Sequence, residues 1–171
     1  AEMERAQADA MLELADAQGK PHVLPGDTVE ALSERLQAVD ESETLEAYLA
    51  WFRTTIPLLQ TQDALQRVAY ELVADSAAEN VRYLEVRYAP IVHTEGGLSL
   101  NAVNNAVLDG LQRGEEDFDV TTSLIICGLR DRYESASMRQ AELAAEYRHR
   151  GVVAFDLAGG EAGNPPKGHL H

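Results

Sequence analysis

The sequence has one cysteine, Cys127, so no disulfide can form within the chain. That fits a reducing compartment. The start, Ala1-Glu2-Met3-Glu4-Arg5, shows no basic stretch leading into an apolar one, so no signal peptide is visible and a cytoplasmic location is expected. No apolar run nears the roughly 20 residues that span a bilayer. Basic residues are scarce: 14 Lys and Arg stand against 29 Asp and Glu, a formal net charge of −15. A surface of that sign repels phosphate backbones and anionic lipid, so neither a nucleic-acid polymer nor a membrane is an expected partner. Also missing are G-x-x-x-x-G-K-[ST], G-x-G-x-x-G, C-x-x-C and G-x-S-x-G, which removes the usual support for phosphate-loop, dinucleotide, zinc-ribbon and serine-hydrolase chemistry. There is no solenoid repeat, no low-complexity segment and no evident linker. What remains is 171 residues, 45% hydrophobic and 25% charged, an ordinary globular composition that excludes wholesale disorder.

The first third reads as helices. Met3, Ala6, Ala10, Leu14 and Ala17 recur at three- and four-residue steps and stop at Gly19. Asp27 with Glu30 resembles a capping box opening a helix through Val29, Leu32 and Leu36. A third helix from Thr44 aligns Leu45, Tyr48, Leu49 and Phe52, a stripe that ordinary helix packing explains. Thr61 caps a fourth, carrying Leu65, Val68, Leu72 and Val73. The pattern then changes. Val81 to Ala89 is a strand ended by Pro90, and Ser99 caps a helix with Val103, Val107, Leu108 and Leu111. Val120 to Cys127 is a strand halting at Gly128. Met138, Leu143 and Tyr147 mark a helix ending at Arg150-Gly151, and Val152 to Leu157 is a third strand. Strands alternating with helices predict an α/β protein with a parallel sheet and helices outside it. The last two strands are apolar enough to be buried on both faces.

In such folds chemistry gathers at the carboxyl ends of the strands. On the first strand Glu85 and Arg87 share a face. Either they pair with each other, or Arg87 orients a loop or an anion. Cys127 reads as an inert buried thiol, since nothing supplies a base to activate it. Arg130 and Arg132 read as a solvated loop. On the third strand Asp156 closes an apolar run and small residues follow. Gly159 either lets a ligand approach the backbone or makes a plain turn whose amides Asp156 binds. His22, His93 and His149 are scattered. His169 and His171 form an H-x-H pair, but it follows a Pro-Pro-Lys-Gly turn at the chain end and does not read as a metal site.

Three segments in order are familiar: Gln66-Arg67-Val68-Ala69-Tyr70-Glu71 leading into Val81-Arg82-Tyr83-Leu84-Glu85-Val86-Arg87-Tyr88-Ala89-Pro90, and then Gly151-Val152-Val153-Ala154-Phe155-Asp156-Leu157-Ala158-Gly159-Gly160-Glu161. Leu124-Ile125-Ile126-Cys127-Gly128-Leu129-Arg130 between them is consistent. The set resembles the adenosine deaminase family of the bacterial type, over essentially the whole chain. The resemblance implies a (β/α)8 barrel with one zinc ion, which activates a water for addition to the purine carbon bearing the amino group; ammonia leaves and inosine forms. It matches Gly159 to the glycine whose backbone meets the purine ring, and Asp156 to a supporting aspartate before it. Leu45, Tyr48, Leu49 and Phe52 match an apolar wall and lid over a purine nucleoside. His169 matches a histidine at the start of a helix.

The family carries two zinc ligands in an H-x-H motif on its first strand. A later histidine-alanine-glycine-glutamate segment supplies another ligand and a proton-shuttling glutamate, and the last strands carry a histidine and paired aspartates. None of these has a counterpart in residues 1–171, and Gly160 stands where an aspartate is usual. The resemblance therefore implies that residues 1–171 are a fragment of a single adenosine deaminase-like domain: a partial (β/α)8 TIM barrel with N-terminal lid helices and about three parallel strands. It implies no metal ligand and no catalytic residue within the chain, no activity of the chain alone, and self-association through uncovered sheet edges. Two rival readings stay open. One is a degenerate, non-catalytic binding or regulatory protein of the same fold. The other is a deaminase of another 6-aminopurine compound, such as adenine or aminodeoxyfutalosine.

Overall fold

The computed structural model describes residues 2–40, 44 and 52–169. The chain divides into two compact units, Ala1–Leu59 and Gln60–His171. The joint at Pro57-Leu58-Leu59-Gln60 has no run of glycine, serine or charge, so composition does not reveal it.

The first unit holds α1 (Glu2–Ala17) and α2 (Val29–Asp40), with 3₁₀ turns at Pro21–Val23 and Ile56–Leu58. Helix α1 ends as expected, with Gly19 at φ +65°. The cap of α2 differs from expectation. The Thr28 hydroxyl accepts from the Ala31 N–H at 3.2 Å, so Thr28 caps the helix and not Asp27. With Val29 as first helical residue, only position 28 is spaced to reach the third N–H. Ala8, Ala15, Leu24, Leu32 and Leu58 form the core of this unit. The Gln18 amide donates to the Leu58 carbonyl at 2.6 Å and Lys20 Nζ to the Pro57 carbonyl at 3.1 Å, tying the end of the unit back to the end of α1. Residues 52–55 are helical. Leu45, Tyr48 and Leu49 of the expected third helix lie outside the described residues.

The second unit runs α3 (Gln62–Ala78), β1 (Tyr83–Tyr88), α4 (Leu100–Asp117), β2 (Thr121–Leu129), α5 (Glu134–Glu146) and β3 (Val152–Ala158), with 3₁₀ turns at Pro90–His93 and Pro166–His169. Both expected caps are present: Thr61 Oγ1 accepts from Ala64 N–H at 3.2 Å and Ser99 Oγ from Ala102 N–H at 3.1 Å. Each hydroxyl satisfies one helix-end donor. Thr61→Ala and Ser99→Ala should therefore each lower unfolding stability by about 1 kcal/mol, read as a lower urea midpoint at unchanged slope. Helices α3 and α4 pack closely because α4 offers Gly110 and Gly114 to Gln66, Ala69 and Val73.

The three strands are parallel and lie in the order β1-β2-β3. Each strand neighbours the next in sequence and returns through a helix. This is barrel-type winding, a partial (β/α)8 arrangement, as expected. One sheet face carries Leu84, Val86 and Tyr88, then Leu124, Ile126 and Gly128, then Phe155 and Leu157. The helices cover this face: Tyr88 Oη donates to Asn104 Oδ1 of α4 at 2.9 Å. The opposite face carries Glu85, Arg87, Ser123, Ile125, Cys127, Ala154 and Asp156.

Two expectations about the strands are corrected. Strand β2 does not halt at Gly128 but runs through it to Leu129. A Cβ at 128 would lie 2.8 Å from Ser137 Oγ of α5, so the glycine is there to admit the helix, not to stop the strand. Strand β3 is not buried on both faces; Val153 and Phe155 are 54% and 42% exposed. It is an edge strand, and no described element lies beyond it. Of the helix stripe after β2, Leu143 and Tyr147 are core residues, whereas Met138 is exposed. Met138, Ala141, Phe155 and Leu157 line a shallow apolar groove beside α5.

Candidate functional site

Because the strands are parallel, their carboxyl ends share one edge of the sheet. There β1 places Arg87, β2 places Cys127 and Arg130, and β3 places Asp156 and then Gly159. Cys127 is directly opposite Asp156 in register, and Leu129 opposite Ala158. Arg130 N–H extends the ladder by donating to the Ala158 carbonyl at 2.9 Å.

Arg87 does not pair with Glu85. Its guanidinium donates to the Asp156 carboxylate, crossing the central strand above Cys127, while Glu85 accepts from the Tyr83 hydroxyl at 2.8 Å. Residues two apart along a strand stand ~6.6 Å apart and lean the same way, and β1 and β3 are ~10 Å apart. A long, forked arginine side chain covers that gap, and a carboxylate at the strand end meets it. Sequence alone supplies the shared parity of residues 85 and 87 but not the register that brings residue 156 opposite 127.

The pairing sets the electrostatics. The Arg87 hydrogen bond holds Asp156 below the usual carboxylate range, against a smaller opposing effect of burial; the Leu157 N–H and the Arg130 charge add to the lowering. The Asp156 hydrogen bond raises Arg87 in turn. Burial pushes the Cys127 thiol up to about 11, with Asp156 adding to the rise and Arg87 opposing it. At neutral pH the thiol is therefore protonated, which agrees with the expected inert cysteine. Titrating the folded chain with a disulfide reagent should show almost no reaction at pH 7.5. The rate should climb only as pH approaches 11, and denaturation should restore an ordinary thiol.

Arg130 is not a solvated loop residue. Its side chain is only 16% exposed, and Nη2 lies 3.4 Å from Glu161 Oε1. Its carbonyl faces His169 Nε2 at 3.3 Å. Arg130 thus touches the segment after β3 through its N–H, its carbonyl and its guanidinium. Between these contacts sits Gly159, at φ +101°. A Cβ at 159 would still lie 3.5 Å from Arg130 N, so backbone conformation rather than space demands glycine there. Gly160 has no such φ, and a Cβ there would meet nothing within 4 Å.

The remaining sequence-derived candidates fall elsewhere. Phe52 is 41% exposed and belongs to the first unit, while Leu45, Tyr48 and Leu49 are outside the described residues. His169 closes a 3₁₀ turn, and His171 is not described. Among the described residues no three of His, Cys, Asp or Glu converge to hold a metal ion. Asp156 is committed to Arg87, and Cys127 is protonated beside a cation, so neither fits as a metal ligand. Among the described residues no helix is long and apolar enough to cross a membrane.

This edge therefore carries a glycine of left-handed φ flanked by two arginine–carboxylate pairs. The adenosine deaminase family model matches residues 5–171. The chain belongs to the adenosine deaminase family. An adenosine deaminase of Enterococcus faecalis is 42% identical over 153 residues, covering 90% of this chain and 44% of the relative. Among solved structures, an adenine deaminase from Arthrobacter aurescens superposes with TM-score 0.79 at 28% identity, over 95% of this chain and 47% of that one. The arabidopsis protein ADAL, complexed with GMP, superposes with TM-score 0.69 at 27% identity, over 92% and 46%. The chain thus spans less than half the length of these members of the family or its fold.

Proposed function

We propose that the polypeptide carrying this sequence hydrolytically deaminates adenosine, taking up one water and releasing inosine and ammonia. The observation that carries this reading is Gly159, glycine by conformational need at the carboxyl end of β3, in a chain matched to the family over residues 5–171. A purine is flat and neutral, and its ring nitrogens accept hydrogen bonds. Gly159 has no side chain of its own, so its backbone N–H can approach the ring edge, and Asp156 holds the strand end that leads into it. The resemblance matches Leu45, Tyr48, Leu49 and Phe52 to an apolar wall over the nucleoside. A neutral nucleoside is also compatible with a chain of formal charge −15, which disfavours polyanions. The zinc implied by the resemblance finds no ligand set among the described residues, and their roles are to bind, orient and shield.

The test is an ammonia-release assay on the native polypeptide with adenosine, adenine and a 6-aminopurine 5′-monophosphate in parallel. Preferential release from adenosine is expected. Release from adenine instead would move the assignment to the base, a reading that the Arthrobacter aurescens adenine deaminase supports by its fold. Binding of purines with no release from any of the three would favour a non-catalytic member of the family.

A further inference from the structure

We propose that Arg87 is a positioning residue of the purine site, acting through Asp156 on the turn that carries Gly159. The inference rests on the reading of Gly159 as the residue that meets the purine, and it adds to that reading what holds the glycine in place.

The geometry separates this role from simple charge neutralisation. Arg87 has a same-face carboxylate two residues away in Glu85, yet it spans the width of the sheet to Asp156. Both side chains of the pair are substantially exposed, 56% and 42%. Ion pairs in such surroundings add little to stability. What the pair does hold is a position. The Leu157 N–H also favours the Asp156 carboxylate, next to the strand end that leads into the turn. Two residues after Asp156, the Ala158 carbonyl accepts from Arg130 N–H, from the same side of β3, and Arg130 also reaches Glu161 beyond the glycines. The chain is thus held both before and after Gly159, at Asp156 and Ala158 and again at Glu161. The Arg130 contacts are one backbone hydrogen bond to the end of β3 and one side-chain contact to Glu161. The β1 contact is the Arg87 side chain, reaching Asp156 across β2. Cys127 beneath the guanidinium is a neutral thiol that packs and does not compete for it.

The experiment compares Arg87→Gln, Arg87→Lys, Asp156→Asn and the double variant Arg87→Gln/Asp156→Asn in the native polypeptide. Arg87→Gln should lower kcat/KM for adenosine by about 10- to 100-fold, the usual cost of loosening a binding geometry by about an ångström. The loss should fall mainly in KM, with Tm nearly unchanged. Arg87→Lys should recover part of it, and the double variant should be no worse than the poorer single variant. Three results would each overturn the proposal: kcat/KM of Arg87→Gln within twofold of the parent, losses that multiply in the double variant, or a loss that simply tracks the fraction unfolded. Should the parent turn over no 6-aminopurine, the proposed function fails, and Arg87 is judged by a separate readout. In 15N-glycine-labelled protein, the Gly159 amide resonance should move in the same direction in Arg87→Gln and Asp156→Asn. A Gly159 resonance unmoved by Arg87→Gln refutes the positioning role whatever the activity.

Discussion

Alanine in place of Gly159 is expected to lower kcat/KM of the native polypeptide by about 10- to 100-fold. At φ +101° an L side chain is strained. Holding a non-glycine residue in such a region costs roughly 1–3 kcal/mol, and each 1.36 kcal/mol is about tenfold in rate. The chain has two ways to respond. It can keep the turn and lose stability, or relax the turn and displace the N–H that meets the purine. The Arg130 and Asp156 contacts on either side resist the second, so both effects should appear, as a lower melting temperature and a raised KM. The control is next door. Gly160→Ala meets no steric obstacle within 4 Å and needs no unusual φ, so it should leave kcat/KM within about twofold. Equal damage at the two positions would show that the turn tolerates no added atom anywhere, and that conformation at 159 is not the cause.

The second large effect is expected far from the site. Gly110→Ala in α4 should destabilise the chain by roughly 2 kcal/mol, although alanine is the better helix former by about 1 kcal/mol. A Cβ at 110 would lie 2.3 Å from the Gln66 carbonyl oxygen and 2.8 Å from Ala69 Cβ. Neither neighbour can rotate away, since one is helix backbone and the other is fixed to it. The helices must separate, and the core contacts around Val103, Val107 and Leu111 open with them. The expected fall in Tm is about 4–8 °C. Gly114 offers a cycle on the same interface. A Cβ there meets Val73 Cβ at 2.5 Å and both Val73 methyl carbons within 3 Å. Gly114→Ala should be strongly destabilising alone and largely rescued by Val73→Ala, a coupling that independent sites would not show.

Much of the second unit is legible in the sequence. Thr61 and Ser99 are hydroxyls at the right distance ahead of apolar periodicity, and capping is local chemistry. The three strands were legible from β-branched runs between glycines and prolines. Their parallel pairing followed from the helices between them. The misses share one cause: they depend on what lies across a gap, not along the chain. Gly128 looked like a stop because nothing in its neighbours reveals that α5 rests on it. Thr28 lost to Asp27 because the two differ by one residue in register. Glu85, its neighbour in sequence, is one of two sequence readings for Arg87, because the partner it uses is 69 residues away. Arg130 was placed in solvent because its contacts are on the far side of β3. Of the site, Gly159 and Asp156 were legible from a strand-ending aspartate before small residues and from the family resemblance, while the grip around them was not.

That separation of 69 residues has a kinetic meaning. The Arg87–Asp156 contact joins the first strand to the last across an intervening strand and two helices, so it cannot form until both crossovers have closed. Closing so long a loop carries a large entropic cost that short-range helix contacts do not. The pair should accordingly be absent from the folding transition state: the small stability it adds should appear in the unfolding rate, with refolding unchanged. The last contact made in folding would then be the one that sets the turn around Gly159. Assembly of the sheet and readiness of the site would be completed in the same step.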